Sequence, residues 1–300
     1  MRHRHGGGLA DANVFKRSWE VTKVTFSVML KNKKMFWFVV VDNVLSLMAF
    51  IPLIIVGLLI GGLLPGDIPI APFIVASLLV GYFLSYIFTV FFDVCTVYAA
   101  KKEFADNHAE TGEIMGFAFS RLGRIIMWAL LSGTVGLALK AMKGKGRRGG
   151  RGMARRAAGG ILGAAWSILT VFVIPEIVYK DSRPIAAIKN SFNTVRKTWG
   201  ELLIRWFGLN MIEGILSFIL LLFFGVIGFS AMEMGMEWLL VVAVLGYIIV
   251  QIPIVITFAI ANQVYDAALY EYAHTGKVPG SYKEEMLKDA FKDPRNVRMF

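Results

Sequence analysis

Cysteine occurs once in the 300 residues, at Cys95. No intramolecular disulfide can form, and no zinc site can be built on cysteine pairs. Histidine is nearly as scarce. His3 and His5 sit in a basic head that reads as solvated, whereas His108 and His274 have no partner nearby in the sequence and read as surface residues. The chain also has no H-E-x-x-H, no G-x-S-x-G and no phosphate-binding loop, which removes the enzyme classes those motifs serve. We therefore expect no enzyme activity, no cofactor and no metal. Charged residues make up only 18% of the chain, against about a quarter in soluble domains. The first 34 residues hold eight Lys and Arg and no short apolar core before a small-residue cleavage site, so no cleaved signal peptide is expected.

What the chain has instead is apolar length: 56% of residues are hydrophobic and the mean hydropathy is +0.61. A helix needs about 20 apolar residues to cross a hydrocarbon core of about 30 Å. Six runs qualify, at about 35–60, 72–98, 122–142, 157–179, 206–229 and 238–260. The fold class is therefore all-α, a polytopic membrane helix bundle. Basic loops mark the cytoplasmic side. With six spans, the head, the 99–121 and 180–205 connections and the tail carry 24 of the 32 Lys and Arg, counting Arg124 at the border. The loops at 61–71 and 230–237 carry none. A multi-pass protein of the cytoplasmic membrane with both termini in the cytoplasm follows as the expectation.

One loop opposes that assignment. Eight basic residues lie between Lys140 and Arg156, and parity puts them outside. Either a strong flanking bias overrules this loop, which is the reading adopted, or segments three and four fail to span and keep it inside. Its glycine density predicts a flexible, solvated connector. Lys145, Arg147, Arg148, Arg151, Arg155 and Arg156 are candidate contacts for anionic lipid headgroups, which attract such clusters by about 1 kcal/mol per basic residue. No aromatic lies in the tract to stack on bases, which disfavours nucleic acid.

A pattern in the head returns 173 residues later. Lys16-Arg-Ser-Trp-Glu-Val-Thr-Lys-Val-Thr-Phe26 aligns with Lys189-Asn-Ser-Phe-Asn-Thr-Val-Arg-Lys-Thr-Trp199, and the same offset carries Asp93 onto Asp266. Phe15, Trp19, Thr22, Phe26 and Met29 recur at helical spacing with Lys16, Glu20 and Lys23 turned away, and Phe192, Val195 and Trp199 do likewise. These are helices of the headgroup boundary, with Trp19, Phe26, Phe192 and Trp199 as interfacial aromatics. A looser third helix falls near Glu113 to Leu122. The architecture predicted is an internal repeat of three units, each an interfacial helix followed by a transmembrane hairpin.

Ser18-Trp-Glu, the stretch from Phe119 to Gly136, the run Gly160-Ile-Leu-Gly-Ala-Ala-Trp-Ser167 with Phe172-Val-Ile-Pro175, and Arg196-Lys-Thr-Trp-Gly200 resemble a prokaryotic family of six-helix membrane proteins, domain-of-unknown-function family 6159. The resemblance covers roughly 15 to 275. A weaker likeness in layout is to the membrane domain of glycerophosphodiester phosphodiesterases. The family implies a six-helix fold and no reaction. Two features depart from its pattern, the long Gly-Arg loop and Glu176 directly after Pro175.

Ionisable residues inside spans cost about 2.5–3.5 kcal/mol each near a helix centre, so each needs an account. Asp42, Asp93, Glu176 and Glu213, with Asp266 at a boundary, all fall within about 6–12 Å of the predicted cytoplasmic surface. They either pair with the basic collar or, with Asn43 and Asn210, line a polar vestibule. Pro52, Pro175 and Pro253 invite kinks. Gly57-x-x-x-Gly61 and Gly159-x-x-x-Gly163 read as intramolecular packing sites. The domain reading is a disordered head at 1–13, one transmembrane domain at 14–276 and a basic tail at 277–300 in which Tyr282 to Phe291 can form an amphipathic helix. The functional reading is a non-enzymatic membrane component that organises lipids or partner proteins; the alternative is a small transporter or channel that uses the carboxylates.

Overall fold

In the computed structural model, residues 7–63, 71–143, 150–280 and 282–283 are described, with side chains outside the description at 7–18, 61, 63, 143, 150–153 and 198–207. The elements are α1 (Gly7–Lys31), α2 (Lys34–Leu63), α3 (Ala71–Phe104), α4 (Thr111–Ser120), α5 (Leu122–Lys143), α6 (Gly150–Thr170), α7 (Val173–Lys180), α8 (Pro184–Arg205), a π-helical turn at Trp206–Asn210, α9 (Met211–Glu233) and α10 (Glu237–Thr275). Among the described residues there is no strand. Among the described residues, six helical stretches are long and apolar enough to cross a membrane, and they overlap the six runs read from hydropathy. The protein is a multi-pass membrane helix bundle. In chain order, α1 precedes the α2–α3 pair, α4 precedes α5–α6, and α8 precedes α9–α10, the alternation that the repeat predicts.

Each pair is an antiparallel hairpin whose cross-helix contacts keep one register. In the first, Phe38 meets Phe92, Thr89 donates to Asp42, and a Cβ on Gly57 would lie 2.5 Å from Ser77 Oγ. In the second, Trp128 stacks on Trp166 at 6.1 Å. In the third, Asn262 donates to Asn210 at 3.0 Å, Gln251 to Ser217 at 2.7 Å, and Phe224 fits against Gly246. Small residues let the backbones approach wherever a ring or a hydroxyl faces them.

The buried core does not lie at mid-span. The outer faces of α2, α9 and α10, such as Leu47, Phe218 and Ile249, are exposed, as lipid-facing surface must be. Burial concentrates at the C-terminal ends of α3 and α10, where Val94 to Ala100 and Val264 to Leu269 are almost wholly enclosed. These helices run for 34 and 39 residues, about 51 and 58 Å, well beyond a 30 Å hydrocarbon core. The predicted runs stop at 98 and 260 because polarity rises there; the helices continue until Gly276, in the left-handed region at φ 67°, caps α10.

Packing divides the chain into two compact units. One holds residues up to Phe36, Glu103–Asp106 and the chain from Lys197 onward; the other holds Trp37–Lys102 and Asn107–Arg196. α1 therefore packs with the π-helical turn and α10, far from it in sequence. Val28 and Met29 are buried, Phe26 meets Phe258 edge-on at 5.4 Å, and Thr25 shares a 2.8 Å hydrogen bond with the hydroxyl of Tyr282.

Three local expectations change. The fourth segment is interrupted: α6 ends at Thr170 and α7 restarts at Val173, because Pro175 has no N–H to give Val171, and the Phe172 N–H turns to Ser191 Oγ at 3.1 Å. The basic connector is shorter than its composition suggests, since α6 begins at Gly150 and takes in Arg151, Arg155 and Arg156; Met-Ala-Arg-Arg-Ala-Ala is a run of strong helix formers. Finally, α1 begins at Gly7, inside the stretch read as a disordered head, while Tyr282 is buried and not helical. The rest of the proposed 282–291 helix lies outside the described residues.

Candidate functional site

The three helices that precede hairpins carry one shared device. A cation four residues after an aromatic folds back over the ring: Lys23 Nζ lies 5.4 Å from the Trp19 centroid, the Arg121 guanidinium 5.1 Å from Phe117, and the Arg196 guanidinium 5.9 Å from Phe192. All three are within the roughly 6 Å of a cation–π contact. The 173-residue offset maps Trp19 onto Phe192 and Lys23 onto Arg196, and both aromatic side chains are 44% exposed. Behind each ring the opposite face is buried, by Val21 and Thr22 in α1 and by Thr194 and Val195 in α8. The aromatic stripe read from the sequence of α1 therefore divides. Thr22 and Met29 turn into the protein, Trp19 stays outward, and Phe26 is half-buried at the boundary. Trp199 lies among the residues whose side chains are outside the description.

Three of the candidate vestibule residues, Asp42, Asn43 and Asn210, have hydrogen-bond partners within their own element or hairpin. Asp42 accepts hydrogen bonds from Thr89 at 3.2 Å and Ser46 at 3.2 Å. Asn43 is exposed and donates to the Val39 carbonyl at 2.7 Å. Asn210 accepts from Asn262, Glu213 is half-buried, and Asp266 is buried near Tyr282. Asp93 is half-buried on α3. Two hydroxyls and an adjacent amide give these groups local solvation, which lowers the cost of placing them near the hydrocarbon.

Glu176 has the most complete environment. Its side chain is 0% exposed and accepts from Ser182 Oγ at 2.9 Å, Asn190 Nδ2 at 3.0 Å and Lys180 Nζ at 3.4 Å. It fastens the 181–183 turn and the start of α8 to α7. The turn itself needs fastening: Asp181 is left-handed at φ 57°, a conformation tolerated by few non-glycine residues, and two arginines hold its carboxylate. Arg121 Nε lies 2.7 Å from Oδ1 and Arg124 Nη2 lies 2.6 Å from Oδ2. Sequence reading missed this clamp, because nothing in the separation of Arg121 and Arg124 from Asp181 announces it.

A second tie, between the end of α3 and α4, was also missed. Glu113 on α4 accepts from Lys102 at 2.6 Å and from the Tyr98 hydroxyl at 2.9 Å. Those hydrogen bonds, first from Lys102 and then from Tyr98, hold its carboxyl below the usual carboxylate range. The Tyr282 phenol moves the opposite way: burial pushes it far above an ordinary tyrosine, the charge of Asp266 adds to the rise, and the bond to Thr25 offsets part of it.

Of the predicted lipid contacts, Arg155 and Arg156 are exposed on α6, with Arg155 Nη2 3.5 Å from the Ala141 carbonyl at the mouth of the hairpin. Arg151 is on the same helix with its side chain undescribed, and Lys145, Arg147 and Arg148 lie outside the described residues. Lys140, just before them, reaches over Tyr82 at 5.7 Å.

No curated protein and no solved structure matches the chain, and the likeness to the phosphodiesterase membrane domain gains no support. A family match does exist, and it spans α3 to α10 while leaving out α1 and α2. With residues 70–280 matched, the chain belongs to the family of unknown function DUF6159.

Proposed function

We propose that this protein is a non-enzymatic component of the cytoplasmic membrane that organises anionic lipids at the inner leaflet, with both termini in the cytoplasm. The observation that supports the reading is the exposed aromatic–cation pair repeated on α1 and α8; the third pair, Phe117–Arg121, is already engaged by Tyr98 and Asp181. An aromatic ring capped by a cation suits the headgroup boundary: the ring enters the upper acyl region while the cation meets phosphate. The basic excess on the loops of the same predicted side supplies a diffuse attraction for negative headgroups, about 1 kcal/mol per residue at the surface.

Spin-labelled phosphatidylglycerol and phosphatidylcholine, in turn, in vesicles holding the full chain measure the lipid selectivity of the protein boundary. The expected result is enrichment of phosphatidylglycerol that weakens as salt is added and falls in a Phe192→Ala, Arg196→Gln variant. Equal boundary populations of the two lipids would overturn the proposal. Carboxylate-dependent flux in the same vesicles, lost on Asp93→Asn or Glu213→Gln, would favour the transporter reading instead.

A further inference from the structure

A groove of about 750 Å³ opens between α1 and the α9–α10 hairpin, within the roughly 300–1,000 Å³ typical of small-molecule sites. Its floor and one wall are apolar, formed by Phe26, Phe258, Ile212 and Leu216. Lys23 and Lys31 stand on its α1 side, and none of the described lining residues is a carboxylate. The depth of the groove follows from the hairpin register. Asn210–Asn262 and Ser217–Gln251 bracket it, which sets Phe258 opposite the first turn of α9. That turn is where the chain passes from the π-helical turn into an apolar span. The groove is therefore apolar on the side of the span and cationic on the side of the amphipathic helix.

We infer that this groove is a binding site for one anionic phospholipid, with its phosphate between Lys23 and Lys31 and an acyl chain laid along Phe26, Phe258 and Leu216. A lipid matches both halves of the lining at once. An amphipathic peptide helix would need a counter-charge on its own polar face, and a free phosphate would leave the apolar wall unfilled. Leu216 is 40% exposed and Leu30, at the rim, 58%, surface that an acyl chain would cover. The ends of the groove are fixed by the buried face of α1, so the site is preformed in the packing of α1 on α10. The inference rests on the lipid reading above but concerns a single saturable site, separate from the general boundary selectivity.

Native mass spectrometry of the full chain in detergent, titrated with phosphatidylglycerol and separately with phosphatidylcholine, reads occupancy directly. The expected result is one phosphatidylglycerol retained at concentrations where phosphatidylcholine is not. Lys23→Gln with Lys31→Gln weakens that retention roughly tenfold or more, as two headgroup charges require. Ser27→Trp, an exposed position on the wall, fills the groove and removes the bound lipid while the protein stays folded by circular dichroism. Retention unchanged in both variants, or equal retention of the two lipids by the unaltered protein, overturns the site. Boundary enrichment that persists while the single bound lipid is absent overturns the groove alone; loss of both overturns the broader proposal as well.

Discussion

Glu176 shows how much one residue can hold. A carboxylate with no exposure and donors from Ser182, Asn190 and Lys180 is stable in place only as long as all of them point at it. Replacing it by Ala leaves the half-buried Ser182 and Asn190 and the more exposed Lys180 without their acceptor, at a cost of about 2–3 kcal/mol, whereas Gln keeps one acceptor and costs about 1 kcal/mol. Thermal unfolding in detergent should show the larger loss for Glu176→Ala. Equal midpoints for the two variants would contradict the network. Tyr282 makes a second prediction. Tyr282→Phe removes the bond to Thr25 and costs about 1 kcal/mol. Because burial raises the phenol, the folded state holds the proton more tightly than the unfolded state. That contribution is complete below about pH 10 and is lost as pH rises past the unfolded value. Alkali should therefore release residues around 282 from α1, seen as faster proteolysis near the tail, and Tyr282→Phe should remove this pH dependence. Glu113 has the opposite sign. Its lowered carboxyl stabilises the α3–α4 corner above the ordinary carboxylate value, and the effect is lost as pH falls through the folded value below it.

Among the elements, the spans were legible because 20 apolar residues in a row admit one physical solution. The continuation of α3 and α10 beyond the bilayer was not. Past residues 98 and 260 the sequence turns mixed, and at the end of α10 part of the burial comes from α1, which hydropathy cannot bring to it. The same limit hid the docked face of α1. Thr22 and Met29 share a stripe with Trp19, and only the fold decides that two of them turn inward. Glu176 was visible as an anomaly, yet its partners six and fourteen residues onward were not. Of the glycines read as packing positions, Gly57 meets its neighbour most closely, since a Cβ there would lie 2.5 Å from Ser77 Oγ; Gly246, which the sequence did not single out, is nearly as tight, 2.6 Å from the Phe224 ring. Gly246→Val should force α9 from α10 and cost about 1–3 kcal/mol. Gly160, where nothing stands within 4 Å, should tolerate Ala. Thermal midpoints of these two variants compare them directly, and an equal loss at both would contradict the hairpin register.

At the scale of the whole molecule, repetition and charge give the account its shape. Three pre-hairpin helices carry the same ring-and-cation device, and two of them match at one offset in sequence, exposure and geometry. The residue pattern made the repeat legible only in part, because the middle unit lacks the Lys-x-Ser-aromatic run and shares just the Phe117–Arg121 pair. The inner-leaflet reading of that device depends on which side of the membrane these helices face. Single-cysteine labelling decides it: Cys95 is replaced by Ser, one Cys is placed in turn at Asp67, Gly149 or Lys283, and intact cells are treated with an impermeant maleimide. The account predicts labelling at 67 and 149 and protection at 283 until lysis. Labelling at 283 in intact cells would put the tail, and α1 docked beneath it, on the outer face and contradict the account.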